Sequence, residues 1–254
     1  MISIKSEREI ELMREAGRYN QLTFREVEKY LKPGVTTKKL DEVIHNFIIK
    51  NGCVPSTLGY EGYPASVCIS INDEVVHGIP GKRVIKDGDI VKVDLVLSYK
   101  GYHADATRCY IIGDAPKEVR QMVEDTKNAF YAGASAVKDG ARVRDISRAI
   151  EAYAHEHGLS VVEELVGHGI GTEMHEAPDV PNFDTNNMTR LKSGMTIAIE
   201  PMLNLGSKEV YLEDDDWTVK TMDGKPSCHY ENTILVTKDG YEILTGDWFY
   251  GKKR

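Results

Sequence analysis

The sequence predicts an α+β fold made of two similar αβ halves related by a pseudo-two-fold axis, with helices on one face of a largely antiparallel sheet. Three observations predict it. The punctuation of the chain repeats, since Gly34, Gly52 and Gly88 are followed 106 residues later by Gly140, Gly158 and Gly194 in comparable settings. Each half reads as helix, helix, then β-rich segments. Acidic residues travel with the repeat, Asp94 being echoed by Glu200 and Asp105 by Glu231. A single domain over residues 1–254 is expected, with internal halves of about 1–112 and 113–254.

The elements follow in order. A first helix is expected over Ser6 to Leu31 and a second over Thr37 to Asn51, stopped by Gly52 where glycine commonly ends a helix. Leu31-Lys-Pro-Gly34 leads into the second helix. In the other half a helix over Pro116 to Val137 is followed by Val137-Lys-Asp-Gly140 and a helix over Val143 to His157. Ile85-Lys-Asp-Gly88 precedes a strand from Asp89 to Leu95, and Leu191-Lys-Ser-Gly194 precedes one from Met195 to Pro201. Lys100-Gly101 reads as a two-residue hairpin turn, which sets Tyr99 opposite Tyr102 and Val96 opposite Asp105. Side chains alternate along a strand, so Asp94 shares a face with Val96 and both aspartates point the same way. His103-Ala-Asp105-Ala-Thr107 is echoed 126 residues later by His229-Tyr-Glu231-Asn-Thr233, so the second half gains 20 residues, expected as a loop around Asn204 to Lys225. Asp214, Asp215 and Asp216 in that loop read as solvated charge.

Bulk properties exclude several function classes. The apolar runs are interrupted by charge and too short to span a bilayer. The charged start Met1-Ile-Ser-Ile-Lys-Ser-Glu-Arg-Glu has no apolar core, so no secretory signal is read and a cytoplasmic location is expected. Cys53, Cys68, Cys109 and Cys228 form no C-x-x-C pair, which points to reduced thiols rather than a disulfide framework or zinc ribbon. A formal charge of −8 counts against nucleic-acid binding through phosphate contacts. The basic end Lys252-Lys253-Arg254 reads as solvated.

The chemistry lies in the repeated acids. Two aspartates on one face of a Val/Ile/Leu-rich hairpin repel each other and are poorly solvated, and a divalent cation removes that conflict. Pseudo-symmetry brings Glu200 and Glu231 to face them. Val166-Gly167-His168-Gly169-Ile170-Gly171 adds an imidazole whose glycine flanks allow close backbone approach. Four carboxylates and one imidazole, Asp94, Asp105, His168, Glu200 and Glu231, suit two bridged divalent ions such as Mn, Co, Fe or Zn. His77, before a Gly and a turn-forming Pro, and His175 are candidate donors to a substrate or a developing oxyanion. His103 and His229, beside ligand positions, are candidates for a supporting role, while His45, His155 and His157 read as structural.

With these residues in place, the sequence resembles the bacterial-type type I methionine aminopeptidases, members of the pita-bread hydrolases. The resemblance rests on Ser70-Ile-Asn-Asp-Glu-Val-Val-His77-Gly-Ile-Pro80, the Asp94/Asp105 hairpin, Gly167-His168-Gly169-Ile-Gly171, His175-Glu-Ala-Pro178, Ala198-Ile-Glu200-Pro-Met202 and Tyr230-Glu231-Asn-Thr233. It runs over almost the whole chain. It implies a curved antiparallel sheet with helices on its outer face. It also implies a two-metal hydrolysis that removes the N-terminal methionine from nascent proteins, favouring a small second residue. In that scheme the metal pair lowers the pKa of a water to give the attacking hydroxide, Glu200 shuttles the proton, and His175 and His77 flank the scissile amide. By the same resemblance Tyr60, Tyr63, Cys68 and Trp217 would line the methionine pocket.

Asn232, Ala104, Met174 and Glu61 depart from the family pattern, standing where His, Gly, an aromatic, and His or Asn are usual. With neither a zinc-finger extension nor a long helical insertion, the chain points away from the eukaryotic type I and the type II forms. The partners implied are nascent polypeptide N-termini, with ribosome association following from the role, no membrane, and a monomer. The competing readings are an X-Pro aminopeptidase or prolidase, which would need a separate N-terminal domain, and a non-catalytic pita-bread binding module, which would have lost ligands.

Overall fold

The computed structural model describes residues 2–246, so the basic end Lys252-Lys253-Arg254 lies outside the described residues. Ser6 starts the first helix. Its hydroxyl accepts from the Glu9 N–H while the Glu9 carboxylate accepts from the Ser6 N–H, a capping box that closes α1 (Glu7–Glu28). Met13, Ala16, Asn20, Thr23, Phe24 and Val27 recur at helical spacing along its buried side. Thr36 caps α2 (Thr37–Lys50), which stops at Asn51 and Gly52. α3 (Lys117–Ser135) and α4 (Val143–Glu156) repeat the pair in the second half. The predicted helices overrun by up to three residues at their C-terminal ends, where turns take over.

A long hairpin is the platform of the first half. Strand Ile90–Tyr99 turns at Lys100 and Gly101 into strand Tyr102–Ile111 in the predicted register, with Tyr99 opposite Tyr102, Val96 opposite Asp105 and Asp94 opposite Thr107. Lys100 and Gly101 take φ values of +50° and +82°, the pair of left-handed conformations a type I′ turn requires. Strands Val54–Pro55 and Cys68–Ile71 pair along the other edge. One face of the hairpin, with Val91, Val93, Leu95, Leu97, Ala104 and Ala106, packs on α1 and α2. Asn20 of α1 reaches this face and donates to the carbonyls of Leu95 and Ala104. Alternation turns Lys92, Asp94 and Asp105 to the opposite face.

The second half repeats the plan. Its main sheet runs Tyr241–Ile243, Asn232–Val236, Thr196–Ile199, Gly167–Gly169, Glu176–Val180, and α3 and α4 cover Ile197, Ile199 and Ile234. Every strand pairing among the described residues is antiparallel. The pseudo-two-fold extends to single hydrogen bonds. Thr36 bridges Val84 and Arg142 bridges Arg190, and the N–H of Gly34 donates to Ile85 as that of Gly140 does to Leu191, both at 2.9 Å.

The halves meet along the acid-bearing strands. Thr107 and Glu231 exchange backbone hydrogen bonds of 3.4 and 3.2 Å. Lys92, only 1% exposed, donates from Nζ to the carbonyls of Asn72 and Ser227, both at 2.8 Å, which compensates the burial of its charge. The inserted residues are not the plain loop expected. Strands Val210–Leu212 and Val219–Thr221 form a hairpin, and the second pairs with Glu74–Val76 of the first half. Asp214, Asp215 and Asp216 are exposed, as expected. Asp215 nevertheless has a local job, accepting from the N–H groups of Trp217 and Thr218 and from the Thr218 hydroxyl. Among the described residues no helix is long and apolar enough to cross a membrane.

Candidate metal centre

A cavity of about 400 Å³ opens on the sheet face opposite the helices, and the five predicted ligands line it together with His77, His175, Tyr60, Tyr63, Cys68 and Trp217. Asp94 and Asp105 enter from the long hairpin. Glu200 and Glu231 stand at the adjoining ends of strands Thr196–Ile199 and Asn232–Val236. His168 enters from strand Gly167–Gly169, whose glycines are required by the packing. A Cβ on Gly167 would lie 2.4 Å from the Ala198 carbonyl oxygen, and one on Gly169 would lie 2.3 Å from that of Ala177. His168 Nδ1 contacts the Gly169 carbonyl at 2.9 Å, which leaves Nε2 aimed at the acids. That nitrogen is 3.5 Å from Glu200 Oε1 and 3.7 Å from Asp105 Oδ2, too far for hydrogen bonds. Asp105, His168 and Glu231 each present a ligand atom within 4.8 Å of the others.

The electrostatics fit a cation. Burial pushes the Asp94 carboxyl up to about 7. Burial, then repulsion from Glu231, Asp94 and Glu200, pushes Asp105 well above the usual carboxylate range. Glu200 is raised by burial and by Glu231 and Asp94, and Glu231 by burial and by Asp94. Burial and the neighbouring His175 lower His168 to about 3, so its imidazole is neutral near pH 7, the form a ligand needs. Asp105 Oδ1 and Glu231 Oε1 are buried without a hydrogen-bond partner among the described residues. Uncompensated buried oxygens are costly, and hard carboxylate donors with one imidazole suit a divalent transition ion.

The remaining predicted residues divide into two groups around the acids. Tyr63, Cys68 and Trp217 form one apolar cluster, Tyr63 and Trp217 packing edge-on with ring centres 5.1 Å apart. Tyr60 stands apart from them, its hydroxyl 2.8 Å from His175 Nδ1. The His175 ring lies edge-on to His168 at 4.3 Å, and burial lowers its pKa. His77 takes φ +60°, a conformation uncommon outside glycine, and burial lowers it to about 4.

Two further residues belong to the site. The Thr107 hydroxyl donates to Glu231 Oε2 at 2.9 Å. Thr233 mirrors it across the axis, its hydroxyl accepting from the Asp105 N–H at 3.0 Å and donating to the Asp105 carbonyl at 2.9 Å. Both threonines sit two residues after an acid in the repeated motif, the sequence signal that marks them. His229 lines the cavity, 2% exposed, whereas His103 contacts the Gly171 carbonyl and does not line it. Two of the departures from the family pattern face away from the cavity. Ala104 packs on the helix side, and the Asn232 side chain accepts from Arg108 and Thr245. Met174 and Glu61 line the cavity.

The chain is 46% identical over 246 residues to methionine aminopeptidase 1 of Bacillus subtilis, covering 96% of this chain and 99% of that protein. The structure matches the methionine aminopeptidase of Rickettsia prowazekii with a TM-score of 0.95 at 40% identity, and that of Thermotoga maritima with 0.95 at 39%. Each match covers 97% of this chain and 100% of the other. The family model for metallopeptidase family M24 matches residues 11–238. The expected pita-bread fold is therefore the observed one, and the chain belongs to metallopeptidase family M24.

Proposed function

We propose that this protein is a methionyl aminopeptidase that removes the N-terminal methionine from nascent chains. The observation that carries the reading is the single cavity in which a carboxylate-rich, metal-compatible cluster adjoins the Tyr63, Cys68 and Trp217 lining. An aromatic and sulfur-bearing wall suits a flexible thioether. A small second residue is expected to be favoured, as the resemblance to the methionine aminopeptidases implies. The work belongs to the cytoplasm, on chain ends emerging at the ribosome, by a monomer.

Asp94, Asp105, His168, Glu200 and Glu231 would hold two divalent ions, of Co, Mn, Fe or Zn, which supply Lewis-acid activation of water and of the scissile carbonyl. Everything else falls to the chain's own groups. Glu200, raised by burial, accepts the proton of the attacking water and returns it to the leaving amine. With the Tyr60 hydroxyl donating to His175 Nδ1, the proton of neutral His175 sits on Nε2, free to hydrogen-bond the carbonyl oxygen as charge develops there. His77, kept neutral by burial, flanks the other side of the amide. The acids at one end of the cavity accept the substrate's free α-amino group, which selects an exopeptidase reaction.

The test is turnover of Met-Ala-Ser against Ala-Pro peptides by protein reconstituted with Mn or Co. Cleavage of the Met peptide is expected, and a Glu200→Gln variant is expected to lose about a hundredfold or more in kcat. Turnover of the Pro peptide alone, or full activity of the Gln variant, overturns the assignment.

A further inference from the structure

We propose that His229 is a positioning residue for Glu200, its ring N–H donating to one carboxylate oxygen so that the other faces the ligand cluster. The inference rests on the reading above, in which Glu200 carries the proton. His229 is 2% exposed, yet neither ring nitrogen has a hydrogen-bond partner among the described residues. A buried imidazole has at least one N–H to satisfy, and leaving it unpaired is costly, so an orphaned ring at this depth calls for a specific partner. The geometry supplies one. His229 Nε2 lies 3.6 Å from Glu200 Oε2 and 3.9 Å from Glu231 Oε2. The other Glu200 oxygen, Oε1, lies 3.5 Å from His168 Nε2. The Glu200 carboxylate thus stands between two imidazoles, one addressed to each oxygen. A rotation of either side chain that closes the first gap by less than about 1 Å makes a normal hydrogen bond.

The backbone around His229 is fixed well enough to use this. Lys92 grips the Ser227 carbonyl at 2.8 Å, Cys228 is fully buried, and His229 pairs with Met202 in the sheet. The Glu231 N–H is bound to the Thr107 carbonyl at 3.2 Å. His229 is therefore held between anchored neighbours and cannot drift from Glu200. A carboxylate that must both hold an ion and move a proton loses rate when it is free to rotate, because only one orientation serves both tasks. One N–H on Oε2 removes that freedom and leaves Oε1 for the cluster.

The experiment compares His229→Leu, which removes the donor, with His229→Gln, whose carboxamide N–H has similar reach. kcat and KM are measured on Met-Ala-Ser, and the metal-free proteins are titrated with Co(II), following the visible absorption spectrum and stoichiometry. His229→Leu is expected to lower kcat about 10- to 100-fold with KM within about twofold, and His229→Gln to recover kcat to within about threefold. The Co(II) spectrum and stoichiometry of the Gln variant should match the parent. Unchanged kcat in the Leu variant overturns the proposal, as does a Gln variant that folds but is as slow as Leu. A Gln variant with an altered Co(II) spectrum also overturns it, and makes His229 a ligand instead. If the Leu variant does not fold, the Gln variant decides alone, because loss of its kcat is incompatible with a donor role. A parent inactive on Met-Ala-Ser removes the aminopeptidase reading and this inference with it. An active parent with an unaffected Leu variant removes this inference alone.

Discussion

The two acid-bearing strand pairs are copies of one element put to different use. In the first half the acids lie inside a ladder of ten-residue strands joined by a two-residue turn, Asp94 opposite Thr107 and Asp105 opposite Val96. In the second half the ladder is short and ends at the pair Ile199 and Asn232, one residue before Glu200 and Glu231. The first pair is a platform whose short aspartates are aimed by local backbone geometry. The second pair stands beyond regular structure and uses longer glutamates to reach the same space. A side chain with an extra rotatable bond at a strand end must be steadied from elsewhere. For Glu231 that steadying crosses the axis, Thr107 of the first half holding its carboxylate while Thr233 of the second half holds only the backbone of Asp105.

Removing the two hydroxyls in turn should affect the halves unequally. Thr107→Val leaves Glu231 Oε2 without its donor and should lower divalent-metal affinity about 10- to 100-fold, measured by calorimetric titration of the metal-free protein. Thr233→Val leaves the Asp105 N–H and carbonyl unpartnered on that side. It should cost about 1–3 kcal/mol of folding stability with a smaller loss of metal affinity. Equal effects on metal affinity would show that both halves are steadied alike.

A second effect is read in pH. The site carboxyls titrate higher in the folded protein than in the unfolded chain, so the metal-free fold binds the extra protons. The stability they contribute is full below the ordinary carboxyl range and is lost as pH rises through about 7, the value of Asp94. His168 and His77 act oppositely, being lowered to about 3 and about 4. Their contribution is complete above the ordinary value of 6.5 and fades only as pH falls. Above 6.5 the carboxyls are the groups of the ligand cluster whose titration still changes stability. Chelator-treated protein should therefore melt at lower temperature as pH rises from 6.5 to about 8, and saturating metal should flatten the trend. Asp94→Asn should remove the part of the slope near 7. A flat profile for the metal-free parent would contradict the burial of the charges.

The same contrast explains what was legible in the sequence. The Asp94/Asp105 hairpin could be read residue by residue, because a two-residue turn sets register locally. His168 could be read from its glycine flanks, since those glycines answer to strands packed directly against them. Thr107 and Thr233 were visible in the repeat, yet their hydrogen bonds exist only once the halves meet. The inserted hairpin has no local signature in the sequence because the partner of Val219–Thr221 is Glu74–Val76, far away in the chain. Tyr60, Tyr63, Cys68 and Trp217 had no local pattern and were reached through family resemblance, and the structure separates Tyr60 from the other three.

The smallest effect separates the two connections rather than the two acid pairs. The first half joins its strands by Lys100 and Gly101, which do not line the cavity. The second half interposes a hairpin whose tip carries Trp217 into the cavity, where it meets Tyr63. Asp215 holds that tip through the N–H groups of Trp217 and Thr218 and the Thr218 hydroxyl. Asp215→Ala frees the tip without touching the acids, so it should raise KM for methionyl peptides about threefold and leave kcat nearly unchanged. Gly101→Val forces a β-branched residue to φ +82° and should lower stability by about 1–2 kcal/mol with no change in KM. A rise in KM from Gly101→Val, or a fall in kcat from Asp215→Ala, would mean that the platform and the reaching half are coupled more tightly than their hydrogen bonds indicate.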